Sequence, residues 1–182
     1  MNRETDNVPS VLITGVSTGI GRGAASELIQ RGYRVFGGVR RSQDADELKL
    51  AFGANFEPVI FDVTNETQLA AGVETVRKAM NGRNLTAIVN NAGASIVGPF
   101  ALQPADEFRR QIEINLMGPI AVCRAFLPLL GVDLEKGLVG APGKIINISS
   151  IGAHLSTPFM TGYNAAKAGL EAFSHSLRRE LS

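Results

Sequence analysis

Short apolar runs and longer amphipathic stretches alternate along this chain. The apolar runs lie at Ser10–Thr14 and at residues 34–38, 56–61, 87–89 and 144–149. They are of strand length and rich in Val, Ile and Phe. Between them, stretches at 19–31, 45–52, Glu66–Met80, 104–130 and 162–181 repeat apolar residues at helical spacing. Strands that are apolar almost throughout, each followed by a helix, predict a parallel sheet covered on both faces. Right-handed crossovers then make the fold class α/β, a three-layer, doubly wound parallel sheet. Inside 104–130 stands Gly118-Pro119, and a proline there removes a backbone hydrogen bond, so the helix is predicted to kink or open locally. Asn115 lies one turn before it, where carbonyls are freed. The Gly- and Pro-rich stretch 131–143 reads as a surface loop without chemistry.

Composition narrows this picture without redirecting it. The 182 residues form one predicted domain, 1–182, with enough chain for a substantial core. With 45% hydrophobic and 19% charged residues and a net charge of +1, nothing points to nucleic acid or to a membrane surface. The lone cysteine, Cys123, sits in an apolar helical stretch and reads as a buried structural thiol, suited to a reducing compartment. The N-terminus MNRETDNVPS lacks the apolar core of a secretory signal. The best apolar runs are interrupted by Pro119, Arg124 and Pro128 and read as too short to span a bilayer. A cytoplasmic location is therefore expected. No Cys/His cluster suggests a metal site.

Candidate chemistry gathers at strand ends. The strand KIINIS delivers Ser149 and Ser150, and a loop later come Tyr163 and, four residues on, Lys167. Positions i and i+4 share a helix face, so phenol and ammonium point at one spot and, with a hydroxyl nearby, make a proton-handling site. After the first strand, Gly15, Ser17, Thr18, Gly19, Ile20 and Gly21 form a Gly-rich turn into a helix, spaced G-x-x-x-G-x-G. Glycine permits the turn and close backbone approach, and the helix N-terminus presents unpaired N–H groups to a pyrophosphate. The second strand ends without an acid and is followed by Arg40 and Arg41, where an acid would select NAD and an arginine the 2′-phosphate of NADP. The predicted cofactor is thus NADP(H), with two solvated surface arginines as the bland reading. Asp62, ending the third strand, either accepts a hydrogen bond from an adenine amino group or caps the next helix start. Asn90, Ala92 and Gly93, after the fourth strand, let backbone pass beside the cofactor or build an ordinary turn. His154 lies in a loop facing the presumed cleft, and His175 on the last helix reads as structural or interfacial.

Taken in order, T-G-V-S-T-G-I-G, F-D-V, N-N-A-G, I-N-L, I-N-I-S-S and Y-N-A-A-K resemble the short-chain dehydrogenase/reductase family across essentially the whole chain. The resemblance implies a Rossmann-like fold and an oxidoreductase interconverting an alcohol and a carbonyl with NADP(H). It implies that Asn115, Ser150, Tyr163 and Lys167 are the catalytic tetrad, Ser150 rather than Ser149 because the serine stands thirteen positions before the tyrosine. Tyr163 would exchange the proton, Lys167 would favour phenolate and hold the nicotinamide ribose, and Ser150 would bind the substrate oxygen. Asn115 would hold a relay water. Gly15, Gly19, Ile20, Gly21, Asp62 and Asn90 match cofactor positions. Family members continue with two further strands and a substrate-binding loop, so a chain ending in SLRRELS is expected to be C-terminally truncated. A homodimer or homotetramer built on the two longest helices is expected, and Leu155, Thr157, Pro158, Phe159 and Met160 suggest an apolar substrate wall. The rival expectation is a nucleotide-binding sensor or scaffold without catalysis.

Overall fold

The computed structural model of the chain describes residues 8–133, 135, 137–139 and 141–181. In chain order the elements open with β1 (Ser10–Thr14), α1 (Gly19–Gln30), β2 (Arg34–Val39), α2 (Ser42–Phe52), β3 (Phe56–Ile60), α3 (Glu66–Met80) and β4 (Ala87–Asn90). Next come α4 (Ala105–Ile112), α5 (Gly118–Phe126), β5 (Val132–Asp133), β6 (Gly137–Leu138), β7 (Lys144–Asn147), α6 (Gly152–Leu155) and α7 (Thr161–Glu180). The main sheet is parallel throughout, in the order β3-β2-β1-β4-β7. Three consecutive strands therefore step outward from β1, and the chain then returns to lay β4 on its other side. That reversal opens a crevice at the carboxyl ends of β1 and β4, where doubly wound sheets bind ligands.

Side-chain alternation sends each strand's residues to two cores. Val11, Ile13, Val35 and Val39 pack with Ala25 of α1 and Ala45 and Leu48 of α2 on one face. Leu12, Phe36, Val59 and Ile88 pack on the other with Leu69, Val76 and Met80 of α3 and Val122 and Phe126 of α5. The spacing of the α3 residues is what a 3.6-residue period requires of a helix buried on one side. Its ends are closed locally: Asn65 accepts from the Gln68 N–H, Glu66 lies in the first turn, and Asn81 closes the helix in the left-handed region.

The long helical stretch is interrupted as Pro119 requires. A π-turn at Glu113–Met117 separates α4 from α5, and the Gly118 N–H reaches back five residues to the Glu113 carbonyl. Four residues before Pro119, the Asn115 carbonyl has no proline N–H to accept. A 3₁₀ turn at Leu127–Leu130 then carries the chain past Pro128. These adjustments keep Ala105–Leu130 continuous, which corrects the expectation that every apolar run is too short to span a bilayer. Its 26 residues, with a mean hydropathy of 1.4 over the most apolar window, suffice by length and composition. Here Val122, Cys123, Phe126, Leu129 and Leu130 are buried against the sheet.

Apart from one-residue shifts and the short helix α6 within an expected loop, three further departures stand out. Helix α2 begins at Ser42 rather than 45, because Arg41 and Asp44 pair across its first turn. Strand β7 ends at Asn147, two residues early, although the Ile148 N–H still donates to the Asn90 carbonyl at 2.9 Å. Residues 131–143, expected as plain loop, include the short antiparallel ribbon β5–β6, whose two-residue strands are below the length at which alternation is legible. Leu134, Lys136 and Gly140 of that stretch lie outside the described residues.

Candidate active site

The Gly-rich turn is held by hydrogen bonds from the neighbouring strand end. Thr14 Oγ1 accepts from the N–H groups of both Asn91 and Ala92 at 3.0 Å, and Asn91 Nδ2 donates to the carbonyls of Thr14 and Gly15 at 3.0 and 2.9 Å. Gly15 has φ +69°, and a Cβ there would stand 2.8 Å from the Ala92 Cα. The turn is therefore closed to any other residue on grounds of both conformation and space. Helix α1 then begins with Thr18 as N-cap, but its side chain caps nothing and no acidic residue stands in the first turn. The first N–H groups of α1 are thus left facing outward for an anion.

A cleft of ≈ 380 Å³ extends from this turn. Gly15, Ser17, Thr18 and Ile20 line it on one side, and Ala92 and Gly93 on the other. Gly19 opens α1 with φ +59°, and Gly21 is buried beneath, 2.3 and 2.4 Å in prospective Cβ distance from Asn91 Nδ2 and the Gly15 carbonyl. Arg40 and Asp62 line the outer end. Arg41 does not: its guanidinium pairs with Asp44, a cleft-lining acid. Of the two expected uses of Asp62, the helix cap is not the one the structure shows. Its Oδ1 accepts from the Thr64 N–H and hydroxyl at 2.9 and 2.7 Å, but the N-cap of α3 is Asn65.

Asn90 departs from its expected place beside the cofactor. Its side chain is buried away from the cleft, with Nδ2 donating to Asn147 Oδ1 at 2.8 Å and to Cys123 Sγ at 3.2 Å. It joins β4 to β7 and α5 instead. Burial pushes the Cys123 thiol up to about 11, against the opposing hydrogen bond from Asn90, so it is inert as a nucleophile at neutral pH.

Of the four expected proton-handling residues none lines the cleft, but Asn115 and Lys167 lie directly behind its lining residue Gly93. Lys167 is 4% exposed, and its Nζ donates to the Ile148 carbonyl at 2.7 Å and lies 5.7 Å from the Tyr163 ring centroid. Burial lowers its pKa below that of an ordinary lysine. A Cβ on cleft-lining Gly93 would come within 2.8 Å of Asn115 Oδ1 and 4.0 Å of Lys167 Nζ, so glycine is what lets these groups approach the cleft. Asn115 is fully buried. Its Nδ2 donates to the carbonyls of Ala94 and Gln111 at 2.6 and 2.9 Å, and its Oδ1 accepts from the Ala94 N–H at 3.2 Å. Ser150 Oγ accepts from the Gly152 N–H at 3.1 Å, which leaves its own proton to donate. Among the described residues no cluster of three or more His, Cys, Asp or Glu could hold a metal.

The model of the short chain dehydrogenase family matches residues 9–182. The chain belongs to this family. It is 34% identical over 170 residues to the NADPH-dependent 3-dehydrocapnine reductase of Ornithobacterium rhinotracheale, a match covering 93% of this chain and 59% of that protein. It is 35% identical over 185 residues to retinol dehydrogenase 5 of Homo sapiens, covering 99% and 55%. A crystal structure of a short-chain dehydrogenase from Streptomyces avermitilis superposes with a TM-score of 0.84 at 34% identity, over 96% of this chain and 61% of that one. The chain thus spans a little more than half the length of these curated relatives.

Several residues that organise the cleft and the strand end beside α7 were not singled out from the sequence. Thr14 and Asn91 lock the glycine turn, and Gln111 steadies the adjoining loop by accepting from the Ile96 N–H at 3.0 Å. Ser149, set aside as the catalytic serine, donates to Glu171 Oε1 at 2.7 Å, while His154 Nε2 lies 3.2 Å from Glu171 Oε2. With Lys167 on Ile148 and Ser174 Oγ accepting from Asn147 Nδ2 at 2.7 Å, α7 grips three successive residues leading to Ser150. An acid one turn beyond Lys167 was the available signal, but helix-face acids are common and only the packed strand end gives this one a partner. Glu171→Ala should cost about 0.5–1.5 kcal/mol by removing the hydrogen bond from the half-buried Ser149 hydroxyl. Urea denaturation reads this directly, and an unchanged midpoint would mean that packing alone holds the strand end.

Proposed function

We propose that this chain carries the cofactor site and catalytic centre of an oxidoreductase transferring a hydride between NADP(H) and an alcohol or carbonyl group of a largely apolar small molecule. The supporting observation is the buried ammonium of Lys167, between cleft-lining Gly93 and the Tyr163 ring. The relatives named above are a reductase and a retinol dehydrogenase, one of them NADPH-dependent.

The glycine turn and the open N-terminus of α1 would hold the pyrophosphate, Asp62 the adenine, and Arg40 the 2′-phosphate. The bound nicotinamide supplies or accepts the hydride. In carbonyl reduction Tyr163 gives its phenolic proton to the oxygen that becomes the alcohol, and it takes that proton back in the reverse direction. Lys167 favours the resulting negative charge on the phenol and holds the ribose hydroxyls. Ser150 donates its free proton to the substrate oxygen, opposing the charge that develops there. The side chain of Asn115 is committed to Ala94 and Gln111. Its part in proton relay therefore falls to its backbone carbonyl, which Pro119 leaves without an α-helical partner. Leu155 and Phe159, 67% and 56% exposed, offer apolar contact surface for substrate. Self-association through the long helices and a reducing, cytoplasmic setting complete this reading.

Titration of the chain with NADPH and NADH, followed by the cofactors' own fluorescence, tests it. NADPH should bind more tightly by at least about tenfold, the scale of one charge-assisted phosphate contact. Tighter NADH binding would refute the cofactor assignment. Turnover of a panel of apolar ketones and aldehydes separates an enzyme from a nucleotide sensor, which would bind NADPH and reduce none of them.

A further inference from the structure

The outer end of the cleft contains an acid where a 2′-phosphate is to be accommodated. Asp44 lines it beside Arg40, with a side chain 13% exposed. An unengaged carboxylate there would accept ribose hydroxyls and repel a phosphate dianion, the arrangement that selects NAD. Here both of its oxygens are occupied. Arg41 Nε donates to Oδ2 at 3.0 Å and Nη2 donates to Oδ1 at 2.5 Å, a two-point fork. The pairing follows from local structure, because Arg41 is the N-cap of α2 and Asp44 falls in its first turn. Arg41 is itself 73% exposed and lies outside the cleft lining, so its guanidinium is directed at the acid rather than at the site.

We propose that Arg41 sets cofactor preference indirectly, by masking Asp44. Holding the carboxylate in a fork keeps it from accepting ribose hydroxyls and offsets its repulsion of a 2′-phosphate, which Arg40 then meets. The charged groups lining the cleft are Arg40, Asp44, Asp62 and Arg110, so unmasking Asp44 changes the balance at this end by a full unit. This inference rests on the NADP(H) reading above. It differs from that reading in giving the second arginine no contact with the phosphate.

The test is a cycle of four proteins, the native chain, Arg41→Ala, Asp44→Asn and the double variant, each titrated with NADPH and NADH at low ionic strength, where exposed charges are least screened. Arg41→Ala should weaken NADPH binding roughly three- to tenfold while NADH binding holds or tightens, the size expected of one partly exposed charge interaction. The double variant should return NADPH affinity to within about twofold of Asp44→Asn, because the acid to be masked is gone. If the double variant binds NADPH as weakly as Arg41→Ala, Arg41 touches the phosphate directly and masking is wrong. If Arg41→Ala changes neither affinity, Asp44 does not bear on the ligand and masking is equally wrong. A native chain that prefers NADH would overturn the NADP(H) reading alone. The ratio of the two affinities would still shift toward NADH in Arg41→Ala and recover in the double variant.

Discussion

Tyr163→Phe should lower kcat by about 10²–10⁴-fold while leaving NADPH affinity within about twofold of the native value. The change removes one oxygen and keeps the ring, so the 5.7 Å approach of Lys167 to the ring centroid and the packing of α7 are preserved. What disappears is the proton that reduction must deliver to the substrate oxygen. Stopped-flow or steady-state assays on the protein that turns over the ketone panel read kcat, and a parallel fluorescence titration reads affinity. Undiminished turnover would end the assignment of Tyr163 as acid and base. Burial of Lys167 adds a pH signature with a definite sign. Its pKa is lowered in the folded chain, so its ammonium is lost at lower pH than an ordinary lysine's. The alkaline fall of kcat should therefore begin below the ordinary lysine range. Over the window between the lowered and ordinary values the unfolded chain binds more protons, so Lys167's contribution to stability rises with pH there.

Gly21→Ala should abolish measurable cofactor binding and destabilise the fold by about 1–3 kcal/mol or more. The added methyl would sit 2.4 Å from the Gly15 carbonyl and 2.3 Å from Asn91 Nδ2. Backbone cannot swing aside as a flexible side chain does, so either the turn opens or α1 moves off β1. Both break the hydrogen bonds that Asn91 makes to Thr14 and Gly15. Gly23, two residues further along α1, has open space around its prospective Cβ. Gly23→Ala should accordingly stabilise the helix by about 0.5–1 kcal/mol and leave binding intact. Urea denaturation and NADPH titration of the pair measure both effects. Equal tolerance of the two substitutions would show that the glycine turn is not the tight element described.

How much of this was legible beforehand can be judged residue by residue. The alternation of apolar runs and amphipathic stretches located all five strands of the main sheet, because the inner strands β1, β2 and β4 are largely buried on both faces and the edge strands keep short apolar runs. Pro119 signalled a local opening of the helix, found as a π-turn, since a missing N–H is a property of the residue itself. The tight glycines, the Tyr163–Lys167 pair and the absence of an acid at the end of β2 were equally visible, being matters of residue type and short spacing. Asn90 was misplaced because its neighbours in the chain do not show which way a strand-end side chain turns; Asn147 and Cys123, far away in sequence, draw it inward. Arg41 and Asp44 are three residues apart, yet only the fold shows that the acid faces the cleft and the arginine does not. Glu171 acquired its partners in the same way, when β7 packed beside α7. Family and fold class are thus legible in the sequence, through steric and polar properties that act locally. The tertiary structure alone decides which polar groups neutralise one another, because hydrogen bonds and charge pairs depend on distances between segments that the chain order does not contain.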